Sequence, residues 1–103
     1  MGYKATINLP PTHPGEILRD DLSALGMSAA KFAAHLGVPT NAISEIIAGR
    51  QSVSPRMALF IGKAFGTGPE IWLNLQRAYD LAQAAEKFAK EVAAIRELQQ
   101  TAA

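Results

Sequence analysis

Of the 103 residues, 49% are hydrophobic and 18% are charged, and none is cysteine. This predicts one globular domain and excludes a disordered chain, disulfides and thiol chemistry. No apolar segment is long enough to span a bilayer and the N-terminus lacks a signal-peptide core, so we expect a cytoplasmic protein with no membrane partner. Since the net charge is only +1, binding to nucleic acid would depend on a local cluster of basic residues.

Residues 1–12 form a predicted N-terminal arm. Within it, Tyr3, Ala5, Ile7 and Leu9 alternate with polar residues, and this period of two is typical of a β-strand. The arm is either a frayed terminus or a segment that becomes extended on a partner protein. The second interpretation is physically reasonable because an extended segment can add to an exposed sheet edge.

Four short helices follow the arm, and each has recognisable start or end signals. Proline suits the first helical turn, serine caps a helix N-terminus, and glycine ends a helix by adopting a positive φ. These signals predict helices from Pro14 to Gly26, Ser28 to Gly37, Thr40 to Ala48 and Ser54 to Gly66. Gly62 lies inside the fourth helix, where glycine destabilises the helix by about 1 kcal/mol relative to alanine. Its presence predicts close packing at this position.

The second and third helices have the spacing of a helix-turn-helix. The small side chain of Ala33 allows a close helix crossing, and Gly37 supplies the positive φ of the turn. The third helix would then bury Val38, Ile43 and Ile46 and turn its other face to the DNA major groove. The alternative is an ordinary helical hairpin without a DNA role.

Helical spacing exposes a set of polar side chains on this third helix. The predicted base contacts are Thr40, Asn41, Ser44 and Glu45, since asparagine can bond adenine and glutamate can accept from cytosine. The predicted phosphate contacts are Ser28, Lys31, Arg50, Gln51 and Ser52. Other roles stay open for some of them: helix capping for Thr40 and Asn41, and plain solvation for Glu45 and Lys31.

A fifth helix is predicted from Pro69 to the end of the chain, because no further glycine or proline follows. It would contain roughly thirty residues, far more than the others. Its apolar residues recur with alternating gaps of four and three, which is typical of a helix that packs on another helix. This stripe contacts a second copy or another protein, or else folds back on its own core. The predicted dimerisation residues are Trp72, Tyr79, Leu81, Phe88, Val92 and Ile95, of which Trp72 and Tyr79 also suit the core or a ligand pocket.

The expected fold is therefore all-α, a five-helix domain with a long C-terminal helix. We expect an arm over 1–12, a helix-turn-helix DNA-binding domain over 13–80 and a dimerisation extension over 81–103. An enzyme is not expected, nor is a metal or cofactor. His13 and His35 are isolated, and Asp20 and Asp21 point to different sides of a helix.

Several segments together resemble the HigA-type antitoxins, a branch of the XRE family of repressor-like helix-turn-helix proteins. They are His13-Pro-Gly-Glu-Ile-Leu-Arg19, Gly37-Val-Pro39, Ile43-Ser-Glu-Ile-Ile-Ala-Gly49, Phe65-Gly-Thr-Gly-Pro-Glu-Ile-Trp-Leu-Asn-Leu-Gln76 and Ala78-Tyr-Asp-Leu81. The resemblance implies a five-helix repressor-like fold and a homodimer on an inverted repeat of operator DNA. It also implies repression of the protein's own operon and neutralisation of a HigB-like toxin, an mRNA nuclease of the RelE type.

The chain departs from this family at two positions that concern DNA. Arginine is frequent in the family where this chain has Ala42, and a lysine-arginine pair is frequent where it has Arg50-Gln51. These losses lower the DNA affinity or change the preferred sequence. Three functions stay open: an autorepressing antitoxin, a toxin-neutralising protein with little DNA binding, and a small-ligand-responsive XRE regulator. In the first two, the arm residues Tyr3, Ile7 and Leu9 would contact the toxin.

Overall fold

The computed structural model describes residues 11–98, and every regular element in that range is a helix. The helices are α1 (Pro14–Ala24), α2 (Ala29–Leu36), α3 (Thr40–Ile47), α4 (Pro55–Phe65), α5 (Glu70–Lys87) and α6 (Ala89–Ala94). The predicted all-α fold is confirmed. Within the described range, no helix is both long enough and apolar enough to cross a membrane.

The helix boundaries follow the local signals in the sequence. Ser28 Oγ accepts a hydrogen bond from the backbone N–H of Lys31 at 3.1 Å, and Ser54 Oγ accepts one from Met57 at 3.2 Å. Gly37 and Gly66 end α2 and α4 with φ of +80° and +73°. The predicted caps and stops are therefore confirmed, because each depends on residues within one helical turn.

The core lies where α1, α2, α3, α4 and the first turns of α5 meet. Ile43, Ile46 and Ile61 are at most 1% exposed, and Ala33 sits at the crossing of α2 and α3 with 1% exposure. The predicted burial of Ala33, Val38, Ile43 and Ile46 is confirmed. The predicted close packing at Gly62 is also confirmed, because a Cβ there would lie 2.2 Å from the carbonyl oxygen of Gly68.

Two polar residues that the sequence analysis did not assign to the interior, His13 and Gln76, fix α1 and α5. His13 caps α1 by accepting from the N–H of Gly15 at 2.9 Å, and its ring packs edge-on against Tyr79. Gln76 is 5% exposed, and its amide oxygen accepts from the N–H of Val53 at 2.8 Å. The Val53–Gln76 bond and the His13–Tyr79 ring contact join distant parts of the chain, so helical periodicity could not reveal them, whereas the His13–Gly15 cap is local.

Trp72 corrects one part of the predicted dimer surface. It is only 2% exposed, stacks near Phe65 with ring centroids 5.9 Å apart, and donates its indole N–H to Thr67 at 3.1 Å. A side chain enclosed in this way supports the monomer core and has no surface for a second chain. The core interpretation of Trp72 is correct, and its assignment to dimerisation was wrong.

The predicted thirty-residue C-terminal helix is divided into α5 and α6 at Phe88, whose backbone adopts φ −108° and ψ 21°. No glycine or proline marks this break. Residues from 85 to 98 are all exposed, so no other part of the described chain packs on them. The break therefore lies at the start of a segment that has no tertiary packing in the described chain, where a helix is only marginally stable. The stripe also does not fold back on the core.

Candidate nucleic-acid interface

The polar face of α3 is the face opposite its buried isoleucines. Gly37 turns the chain sharply after α2, and the N–H of Val38 bonds back to the carbonyl of Ala33 at 2.9 Å. This turn seats α3 across α2 with Ile43 and Ile46 inward. Thr40 and Asn41 are consequently exposed, while Ser44 and Glu45 are partly exposed. All four predicted base-contact residues thus have surface-accessible side chains on one helix.

Thr40 and Asn41 do not cap α3. The N-cap is Pro39, and no side chain makes a capping hydrogen bond there. The capping interpretation of these two residues is therefore wrong. Both side chains lie in the first turn of α3, and neither is used as a helix cap.

A shallow groove runs between α3 and the start of α4. It has a volume of about 310 Å³. Four residues predicted to contact DNA line it: Asn41, Glu45, Gln51 and Ser52. Ala42 also lines the groove and packs partly on the core. Because this chain has alanine where arginine is frequent in the family, this stretch of the groove is apolar.

Arg56 is a groove residue that the sequence analysis missed. It lies in the first turn of α4 beside the N-cap Ser54, and both residues line the groove. The Arg56 guanidinium carbon sits 4.8 Å from the centre of the Phe60 ring, a cation–π arrangement that orients the side chain. The Ser54-Pro55 start signal could have revealed Arg56. An arginine in the first turn of a helix that begins beside the third helix can contact a DNA phosphate.

The end of α3 brings Arg50 back onto Glu45. Gly49 adopts a φ of +79°, its N–H donates to the carbonyl of Ile46, and the N–H of Arg50 donates to the carbonyl of Glu45, both at 3.0 Å. This is a Schellman ending of a helix. It lets Arg50 place two guanidinium nitrogens at 2.9 Å from the two carboxylate oxygens of Glu45.

The Glu45–Arg50 ion pair sets the local electrostatics. Hydrogen bonding from Arg50 lowers the pKa of Glu45 below its ordinary value, with a smaller opposing effect from desolvation of the carboxylate. Glu45 is therefore ionised near neutral pH and is not simply solvated. One predicted base contact and one predicted phosphate contact neutralise each other in the DNA-free chain.

The remaining predicted phosphate contacts, Ser28 and Lys31, lie at the N-terminus of α2 and do not line the groove. The Ser28 oxygen is used as a cap acceptor, although its hydroxyl proton stays available to an incoming phosphate. The Lys31 side chain is exposed.

This geometry agrees with the comparison to known proteins. Residues 18–72 match the helix-turn-helix family. The chain belongs to the XRE-type helix-turn-helix family. It is 43% identical over 83 residues to virulence-associated protein A′ of Dichelobacter nodosus, a match covering 80% of this chain and 72% of that protein.

Two solved structures place the chain in the HigA-type branch of this family. An addiction module antidote protein of the HigA family from Coxiella burnetii is 43% identical, with a TM-score of 0.83 over 87% of this chain and 100% of that one. The antitoxin HigA of Pseudomonas aeruginosa, solved with the higBA promoter, is 36% identical, with a TM-score of 0.82 over 86% and 99%. The resemblance found in the sequence is confirmed.

Most of the apolar residues assigned to dimerisation in this XRE-type chain lie on an open surface. Leu81, Val92 and Ile95 are 67%, 59% and 73% exposed, and Phe88 is 43% exposed. Leu81, Phe88 and Val92, with the alanines between them, line a groove of about 560 Å³ that we call the C-terminal apolar surface. Tyr79 does not line this groove and is partly buried against His13. The predicted toxin contacts Tyr3, Ile7 and Leu9 lie outside the described residues.

Proposed function

We propose that the chain is the antitoxin of a type II toxin–antitoxin module, a dimeric autorepressor that also neutralises a HigB/RelE-like mRNA-cleaving toxin. The observation that carries this proposal is the uncapped, exposed polar start of α3 beside a groove lined by Arg56. It is supported by the HigA relative that was solved with promoter DNA.

In the DNA-binding role, α3 enters the major groove. Asn41 can bond an adenine edge through its amide, and the Glu45 carboxylate can accept from the N4 amino group of cytosine. Arg56, Lys31 and Ser28 flank this face and would contact phosphates. The inferred contacts are few, which agrees with a net charge of +1 and predicts modest affinity for random DNA.

The proposed dimer uses the C-terminal apolar surface, and its occupant is a second copy of the chain. The surface continues along two helices and contains the heptad-like spacing of residues that pack on a like helix. A contiguous exposed apolar face of this kind is uncommon on a monomer. A two-fold dimer would place two α3 helices on half-sites about one helical turn apart, or a multiple of it, in an inverted repeat.

The toxin-binding role is assigned to the arm, with Tyr3, Ile7 and Leu9 as contacts. An alternating apolar segment has no use in a helical domain, but it can add as a strand to the edge of a toxin sheet.

The proposal is tested with the purified chain, DNA from upstream of its gene and the product of the adjacent reading frame. Fluorescence anisotropy should show binding to the upstream duplex that weakens from about 50 mM to about 200 mM salt. The adjacent product should be a small basic ribonuclease whose activity the chain suppresses. Absence of salt-dependent binding would refute the repressor role, and a neighbour without nuclease activity would refute the antitoxin role.

A second candidate is a toxin-neutralising protein with little DNA binding. The net charge of +1 and the mutual neutralisation of Glu45 and Arg50 favour it. Toxin suppression without measurable affinity for the upstream duplex would select this function. A third function, a ligand-responsive regulator, would be selected if no toxin gene is adjacent and DNA affinity changes with a small molecule.

A further inference from the structure

On the surface proposed to meet DNA, Arg50 and Glu45 occupy each other's hydrogen-bonding groups. Two guanidinium nitrogens each lie 2.9 Å from a different oxygen of the carboxylate. Arginine uses this same bidentate geometry on phosphate. While the pair is closed, Arg50 cannot offer a phosphate the same two parallel donors.

The pair is built by the backbone at the end of the third helix and is not required by the core. The Schellman ending fixes the N–H of Arg50 on the carbonyl of Glu45 at 3.0 Å, which aligns the two side chains. The Arg50 side chain is 65% exposed and that of Glu45 is 35% exposed. Exposed ion pairs add little to stability, so the consequence of this pair lies in what each partner can bind.

Opening the pair on DNA has opposite effects on its two members. Arg50 gains a phosphate, but the Glu45 carboxylate is left facing a polyanion. A base edge with a hydrogen-bond donor, such as the N4 amino group of cytosine, can satisfy that carboxylate. A base that offers only acceptors repels it.

We propose that Glu45 is a specificity-determining residue that keeps Arg50 from the phosphate backbone until the DNA supplies a donor for the Glu45 carboxylate. This inference rests on the DNA-binding half of the proposed function. On random DNA the pair stays closed and the chain makes one phosphate contact fewer. On the operator, Glu45 bonds a base and Arg50 transfers to the backbone.

The test is Glu45→Gln, which keeps the size of the side chain and removes its charge. Binding of the parent and the variant to a random duplex and to the upstream duplex is measured by fluorescence anisotropy from about 50 mM to about 200 mM salt. On random DNA the variant should bind roughly threefold to fivefold more tightly, the scale of an exposed ion pair. The slope of log K against log salt should steepen by about 0.9 per chain, the value of one phosphate contact. The ratio of operator affinity to random affinity should fall.

Two further variants separate this mechanism from a simple change of charge. Asp20→Asn removes one carboxylate from another exposed pair, Arg19–Asp20 on α1 at 3.3 Å, and should leave the salt slope on random DNA unchanged. In an Arg50→Ala background, Glu45→Gln relieves only the repulsion of an unpaired carboxylate, so its gain in random affinity should be smaller than in the parent and the salt slope should not steepen by a phosphate contact. An equal gain in that background would mean that Glu45 merely repels DNA and would overturn the proposal.

The outcomes also separate this inference from the proposed function. If the parent binds DNA and Glu45→Gln changes neither the affinity nor the salt slope, the inference alone is overturned. If the variant binds DNA and the parent binds neither duplex, the autorepressor role and the release of Arg50 on the operator both fail. No binding by any variant at the lowest salt overturns both.

Discussion

Replacing Gly62 by alanine should destabilise the domain, although helix propensity alone predicts the opposite. Gly62 is buried in the interior of α4, where alanine is favoured over glycine by about 1 kcal/mol. A Cβ at this position would lie 2.2 Å from the carbonyl oxygen and 2.4 Å from the carbonyl carbon of Gly68, and 2.8 Å from the nitrogen of Pro69. These atoms belong to the backbone, so no side chain can rotate away.

The steric cost exceeds the gain in propensity. The approach of 2.2 Å falls well short of the 3.4 Å at which ordinary contact begins, so the α4–α5 connection must move. The carbonyl of Gly62 also accepts from the N–H groups of Thr67 and Gly68 at 3.0 and 3.2 Å, and the movement would strain both bonds. Overpacking typically costs about 1–3 kcal/mol, and we take the upper end of that range because the atoms in the way belong to the backbone. After the gain in propensity, we expect a net loss of about 2 kcal/mol, or a fall in Tm of about 8–16 °C.

Thermal unfolding followed by circular dichroism at one fixed protein concentration measures the effect. Ala64→Gly is the matched control, because Ala64 is exposed on the same helix and reports propensity alone. It should cost about 1 kcal/mol. A Gly62→Ala variant with a Tm equal to or above that of the parent would refute the reasoning, since the close approach to Gly68 would then be unimportant.

Four further predictions concern function and pH. Asn41→Ala should weaken operator binding by about 1–3 kcal/mol and relax the preference at one base position, as measured by anisotropy on a set of substituted duplexes. Val92→Asp should convert the proposed dimer into a monomer in light scattering, because Val92 is 59% exposed on the C-terminal apolar surface. Deleting residues up to Leu9 should reduce toxin affinity at least tenfold, about 1.4 kcal/mol, and leave DNA binding unchanged. Arg50 lowers the pKa of Glu45 in the folded chain. The pair should therefore stabilise the fold at pH values above the ordinary glutamate pKa of about 4.3. This stabilisation should be lost as the pH falls through the lowered pKa of Glu45. The Tm gap between parent and Glu45→Gln should therefore be small near neutral pH, as for other exposed ion pairs, and should close in acid.

Each of these predictions has a control or a contradicting result. Asn74→Ala removes an exposed asparagine on α5 and should not change operator affinity. Leu59→Asp places a charge at an equally exposed apolar residue of α4, 58% exposed, and should leave the dimer intact. A parent that is monomeric at tens of micromolar would contradict the dimer. An unchanged toxin affinity after the deletion would rule out toxin binding by the arm. A Tm gap between parent and Glu45→Gln that persists in acid would show that the Glu45–Arg50 pair does not cause it.

The sequence was sufficient for features that depend on a few neighbouring residues. Ser28 and Ser54 cap helices, and Gly37 and Gly66 end them, because each acts within one turn of its own helix. The burial of Ile43 and Ile46 followed from helical periodicity. These local rules placed the helix-turn-helix and the exposed face of its second helix.

Tertiary structure decided which of those exposed residues act together. Arg56 joins the groove because α4 begins beside α3. The pairing of Arg50 with Glu45, by contrast, is local and follows from the left-handed Gly49 at the end of α3. Trp72 became a core residue because Phe65 and Thr67 enclose it, and no periodicity within α5 could distinguish that from an interface. The break at Phe88 is marked by no glycine or proline, and the residues beyond it are exposed. Capping and periodicity operate over three or four residues of one helix, whereas the groove position of Arg56 and the burial of Trp72 depend on atoms that only the folded chain brings together.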